Sequence, residues 1–349
     1  MNLSISQLHQ LMKNKFTLAG LTDEHADIVA DVLAFADARG VHSHGAVRVE
    51  YYSERISKGG INTAPHFSYE ETGPCSAVFD GDNGAGHVIA KLGMEKAIDM
   101  AKAKGVAVVG MKRMSHSGAL GYFTKQAAEQ GLVAISVCQS DPMVVPYGGS
   151  EVYYGTNPIA FAAPGPDGKA INFDMATTVQ AWGKVLDARS RNKEIPESWA
   201  VDGDGNSTTD PHAVRALVPI AGPKGYGLMM MVDILSGVML GLPFGRNVSS
   251  MYENLSEGRE LGQLHIVINP EFFTTKEYFI DAIAQTMQDI SGIRPAPGFD
   301  KVMYPGQRSD AKAERAKENG VEIVDEIYQY LISEHIYINS YDHKSAFNG

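Results

Sequence analysis

The stretch that most constrains the fold runs from Gly105 to Ser140. An apolar, β-branched run (VAVVGMK) is followed by small and helix-favouring residues (GALGYFTKQAAEQG) and then by a second β-branched run (LVAISVCQS). Short apolar runs bounded by turn residues read as strands, and the middle piece as a helix. Two strands joined through a helix predict a βαβ unit with parallel strands. CSAVFDGD, PIAFAAPG, AINFDMAT and LHIVINP extend the same alternation, giving an α/β core with a mixed sheet. The ends are helical in character. Ser4–Gln7 has capping-box spacing, Thr22 can cap a second helix striped by Val29, Val32, Leu33 and Ala36, and AVRVEYYSERISKGG supplies a third. The tail from AKAERAKENG onward returns to this pattern, so residues 1–72 with 308–349 are expected to form one helical lobe beside an α/β core of 73–307.

Charge and composition exclude several functions. A net charge of −11 argues against nucleic acid and anionic membranes as partners, while leaving room for a small anion held by a local arginine. Two cysteines, Cys75 and Cys138, cannot build a disulfide framework or a cysteine metal site. MNLSISQLHQLMKNKF lacks the apolar run of a signal peptide. Gly225–Gly245 is apolar and rich in methionine, but it is broken by Asp233 and several glycines, which suits a core or interface helix better than a membrane span. A soluble, cytoplasmic protein is expected.

FDGDNGAGHVIAKLG imitates a dinucleotide fingerprint with Gly84 and Gly86 between a strand and a helix. Its third small position falls on Ile89, and no acidic residue ends a second strand about 20 residues on. A tight turn outside any Rossmann fold is the expectation.

His116 follows the first strand of the Gly105–Ser140 unit, and Ser140–Asp141 follow the second. Ligands collect at the carboxyl edge of such sheets, and a histidine there has a pKa suited to taking a hydroxyl proton. A loop histidine satisfied by backbone groups would look the same locally. In GVHSHGAVRVEYY, His44, Arg48 and Tyr52 recur at i, i+4 and share a stripe on which the arginine could clamp a carboxylate; a solvated helix face is the alternative. His42 and His44 are spaced to point apart, so no metal site is expected. AGPKGYGL places Lys224 among glycines before a helix, an arrangement suited to phosphate.

SHGAVR (Ser43–Arg48), SHSGALGYF (Ser115–Phe123), VPYGG (Val145–Gly149), YGTNPIAF (Tyr154–Phe161), DMATT (Asp174–Thr178) and GPKGYGL (Gly222–Leu228) follow one another along nearly the whole chain. Together they resemble the type-2 malate/L-lactate dehydrogenases, NAD(P)-dependent oxidoreductases whose fold is unrelated to Rossmann. The resemblance implies an α/β, mixed-sheet, non-Rossmann NAD-binding core and a homodimer. It makes His116 the proton acceptor and places NAD contacts at Ser140, Asp174, Met175, Ala176, Lys224, Gly306 and Gln307.

Many malate-type relatives carry threonine-asparagine-serine where this chain has Gln139-Ser140-Asp141. A carboxylate there suits a substrate with N–H donors, such as a ureido group, and repels a second substrate carboxylate. The expected reaction is therefore NAD-dependent oxidation of a 2-hydroxy acid bearing a ureido group. Arg48 and His44 would hold its carboxylate, and Asp141 and Tyr52 its ureido end. A malate or lactate dehydrogenase is the alternative within the family. A metal-dependent lyase or amidohydrolase using His42, His44 and His116 is the alternative outside it.

Overall fold

The computed structural model describes residues 1–344. In chain order its helices are α1 (Ile5–Ala19), α2 (Asp23–Ala38), α3 (Val49–Ser57), α4 (Gly86–Lys104), α5 (Leu120–Ala128), α6 (Trp182–Ser190), α7 (Pro223–Ser236), α8 (Lys276–Gly292), α9 (Gln307–Asn319) and α10 (Asp325–Ile332). The strands are β1 (Asn2–Leu3), β2 (Ser68–Gly73), β3 (Ser76–Gly84), β4 (Val106–Met114), β5 (Val133–Cys138), β6 (Ile159–Pro164), β7 (Ala170–Met175), β8 (Ala200–Val201), β9 (Ala216–Leu217), β10 (Leu261–Ile268) and β11 (Val321–Glu322). The caps follow the sequence. Ser4 and Gln7 close a capping box on α1, and the Thr22 side chain accepts the His25 amide at the start of α2.

Among the described residues the main sheet has the order β2-β3-β4-β10-β5-β6-β7. Only β3 and β4 pair in parallel, joined by α4; every other neighbouring pair is antiparallel. This is a mixed α/β fold. The predicted βαβ unit needs one correction. β4 and β5 do run parallel, but β10 lies between them, antiparallel to both. The true adjacent βαβ unit is β3-α4-β4, which passes through the glycine turn that imitates a dinucleotide fingerprint.

Side-chain alternation divides the sheet into two faces. Ala107, Val109 and Val267 pack with α4 and α5, whereas Val108, Leu264 and Val137 pack with Val232 of α7. Both chain ends lie in a separate apolar cluster. Leu8, Met12 and Phe16 of α1 share it with Val321, Ile323, Tyr330 and Leu331, and β1 pairs with β11. Buried Lys15 donates to the carbonyls of Ser333 and His335 at 2.7 Å, so its charge is held by the returning tail.

The topology has one decisive consequence. Met114 ends β4 opposite the start of β10 at Leu261, Gln263 of β10 faces Cys138 at the end of β5, Val137 faces Ile159, and Ile159 faces Met175 at the end of β7. The residues after β3, β4, β5 and β7 and those before β6 and β10 therefore line one sheet edge.

Candidate active site

His116 sits half-buried on this edge. Tyr52 Oη lies 2.6 Å from its Nδ1, and the His44 ring stacks against it with centroids 5.7 Å apart. The loop carrying His44 is pinned from α2: Asp37 is 2.9 Å from His42 Nδ1 and accepts the Ala46 amide at 2.7 Å. His42 thereby belongs to the support of the site and His44 to the site itself. The i, i+4 relation survives although a pair of short 3₁₀ turns, His42–His44 and Ala46–Arg48, replaces the expected helix start.

Arg48 donates through Nε to the Ser43 carbonyl at 2.8 Å and through Nη1 to Tyr252 Oη at 3.0 Å. Two fixed bonds aim the guanidinium. Asp141 is 7% exposed, accepts the Met251 amide at 3.2 Å and lies 3.5 Å from Arg259, which is 2% exposed. The expected lone carboxylate is thus half of a buried ion pair. Arg259, Tyr252 and His87 carry no local sequence signal. Arg259 reads as a solvated loop residue in EGRELGQ, and Tyr252 as a loop aromatic; entry into β10 buries the arginine. His87 lies in the false fingerprint, where its ring meets Tyr52 edge-on at 4.9 Å. Gly86 explains the proximity, because a Cβ there would stand 2.0 Å from the Ser115 carbonyl oxygen.

The electrostatics favour a neutral proton acceptor. Desolvation, reinforced by His44, His87, Arg48 and Arg259, holds His116 well below the ordinary histidine range. Burial and Arg48 lower His44 to about 4, and burial with His44 lowers His87 to about 3. Among the described residues no group of three or more His, Cys, Asp or Glu side chains is arranged to hold a metal ion.

The remaining predicted residues are tied together farther along the edge. Ser140 Oγ is 3.2 Å from Thr156 Oγ1, the Thr177 amide bonds the Thr156 carbonyl, and the Ile220 amide bonds the Thr177 carbonyl, which brings the Gly222–Lys224 entry to α7 beside Met175 and Ala176. Asp174 accepts the Gly121 amide at 2.8 Å and so caps α5. Ser115 accepts the Gly86 amide at the start of α4, and Ser117 donates to Gln263. The Asn172 amide bonds the Pro305 carbonyl, placing Gly306 and Gln307 against β7. Buried Gln307 Oε1 and Thr178 Oγ1 have no protein partner, which fits an edge completed by a polar ligand.

A profile of the Malate/L-lactate dehydrogenase family matches residues 3–332. The chain belongs to this family. An Escherichia coli O157:H7 member named ureidoglycolate dehydrogenase (NAD(+)) is 65% identical over 347 residues, covering 99% of each chain. A malate dehydrogenase of Pyrococcus horikoshii is 37% identical, covering 93% of this chain and 92% of its own. Sulfolactate dehydrogenase from Methanocaldococcus jannaschii superposes with a TM-score of 0.89 at 37% identity, covering 95% of both chains. Dehydrogenases of this family thus share the fold while their names specify different hydroxy acids.

Proposed function

We propose that the protein oxidises (S)-ureidoglycolate to oxalurate with NAD, a step of allantoin degradation. The observation that carries this reading is the meeting, on one edge, of a desolvated neutral histidine with an aimed guanidinium: His116 receives the hydroxyl proton, and Arg48 beside His44 holds the carboxylate. The 65% identity to a relative named for this activity supports the substrate. Asp141, paired with Arg259, and Tyr52 face the ureido end. Ser140, Asp174, Met175, Ala176, Lys224, Gly306 and Gln307 hold the cofactor, with Lys224 on its phosphates and the unpaired Gln307 and Thr178 oxygens available to its N–H donors. Bound NAD supplies the hydride acceptor. The protein's own contribution is alignment, a proximity effect of up to roughly 7–11 kcal/mol.

In this reading residues 1–72 with the described part of 308–349 form the lobe that presents Arg48 and Tyr52, and 73–307 form the cofactor core. No helix among the described residues is long and apolar enough to cross a membrane, in keeping with a cytoplasmic enzyme. Exposed Met231, Ile234, Val238 and Met239 on and after α7 offer a face for a homodimer.

The test is NADH formation with freshly prepared ureidoglycolate, malate and lactate in parallel, with and without chelator. Chelator-resistant reduction of NAD by ureidoglycolate is expected. Activity with malate or lactate alone would remove Asp141 as selector. Consumption of ureidoglycolate without NADH would mean a lyase.

A further inference from the structure

We infer that residues 338–342, close to the C-terminus, form a strap that positions the carboxylate-binding end of the site, with Tyr341 and Asp342 as its positioning residues. The inference rests on the dehydrogenase reading and adds a determinant of hydroxy-acid affinity far from Arg48 in sequence.

Two buried carboxylates on one stripe of α3 anchor the strap. Glu50, 8% exposed, accepts the amides of Ile338 at 2.6 Å and Asn339 at 2.7 Å. Glu54, fully buried one turn later, accepts the Tyr341 amide at 2.6 Å, the Ser340 hydroxyl at 2.7 Å and the Lys58 ammonium at 2.7 Å. Burying a carboxylate is costly unless donors surround it, and here the tail supplies them.

Beyond these anchors the strap reaches the loop that fixes the site. Tyr341 stacks on Tyr252 with centroids 6.3 Å apart and meets Tyr51 edge-on at 6.0 Å. Asp342 accepts the Leu255 amide at 3.1 Å, and its other oxygen takes Lys58 at 3.1 Å. Residues 249–260 contain neither helix nor strand, so side-chain contacts decide where the loop lies. It supplies the Tyr252 hydroxyl that accepts from Arg48 and the Met251 amide that donates to Asp141. Arg55 of α3 holds the same loop through the carbonyls of Met251 and Glu257. Because α3 begins directly after Arg48, the strap clamps helix and loop together around the guanidinium.

The strap lies beyond residue 332, where the match to the family profile ends, while the alignment with the relative named ureidoglycolate dehydrogenase covers 99% of each chain. That position suits a device that tunes substrate affinity on a shared fold.

The test compares Tyr341→Ala and Asp342→Ala with Tyr341→Phe, which keeps the ring stack, and Asp342→Asn, which keeps an oxygen for the Leu255 amide. Each alanine variant should raise KM for the hydroxy acid roughly five- to tenfold, with kcat and NADH affinity close to wild type. The conservative variants should restore KM. An unchanged KM in either alanine variant, or kcat and NADH affinity falling in step with it, would overturn the strap. Hydrogen exchange read by mass spectrometry separates the strap from the reading it rests on. Both alanine variants should exchange faster at residues 249–259 and no faster in α4 and α5; a uniform increase would mean general destabilisation and would also overturn it. Faster exchange confined to the loop, in a protein whose wild type reduces NAD with no hydroxy acid, would keep the strap and overturn the dehydrogenase reading.

Discussion

The two ends of the site solve opposite electrostatic problems. Around His116, water is removed and the neighbours are histidines and tyrosines, so the groups stay neutral until a proton is delivered. Around Arg48, Arg259 and Asp141 the groups are instead fixed by a tyrosine hydroxyl, backbone carbonyls and each other. Burial tunes the first end because a titratable group can escape desolvation by losing its charge. Arginine cannot, so the second end has to be partnered. Proton transfer and anion binding should therefore fail separately.

The largest separation is expected from His116→Ala, which should lower turnover by about 10²–10⁴-fold with substrate binding little changed. Near-normal turnover in steady-state assays would show that the neutral end is not the proton acceptor. Buried histidines should also limit acid stability. His87 and His265 are both buried, with pKa values lowered to about 3 and about 4. The unfolded chain binds protons near pH 6.5, before the folded one does, so stability is full above that pH and is lost as pH falls toward 4. Each histidine should remove about 1.4 kcal/mol per pH unit in that window. Urea titrations at pH 7, 6 and 5 measure the slope, which should shrink in His87→Gln.

At the charged end, Arg48→Ala should weaken substrate binding by about 1.5–3 kcal/mol, roughly ten- to a hundredfold in KM. NADH affinity, read by fluorescence, should hold; an equal loss would place Arg48 on the cofactor instead. Asp141→Asn should have the smallest effect on the proposed reaction, eroding preference for ureidoglycolate over malate by about tenfold. Because Arg259 loses its partner in that variant, malate should gain where ureidoglycolate loses. An unchanged ratio of kcat/KM values would make Asp141 only a structural mate of Arg259.

Much of this was legible locally. Hydrophobic runs marked strands β3 to β7 and β10, Ser4 and Thr22 marked the first helix starts, and the residues flanking His116 and Arg48 singled both out. Such features depend on neighbours within a few positions, which a periodicity or a cap records. Strand β2, SYEETG, escaped because an exposed edge strand needs no apolar face. Asp174 capping α5 from 53 residues away escaped because nothing near α5 announces it.

The sequence by itself determined the residues on offer: an α/β core, a histidine after one strand, an aspartate after another and an arginine on a helical stripe. Only the tertiary structure decided how these are used. Inserting β10 between β4 and β5 carries Arg259 to the edge and gives Asp141 its counter-charge, and the fold brings Tyr52 Oη to 2.6 Å from His116 Nδ1. The physical reason is range. Propensity and patterning act over a few residues, whereas charge pairing and desolvation depend on whatever distant chain folding brings within a few ångströms.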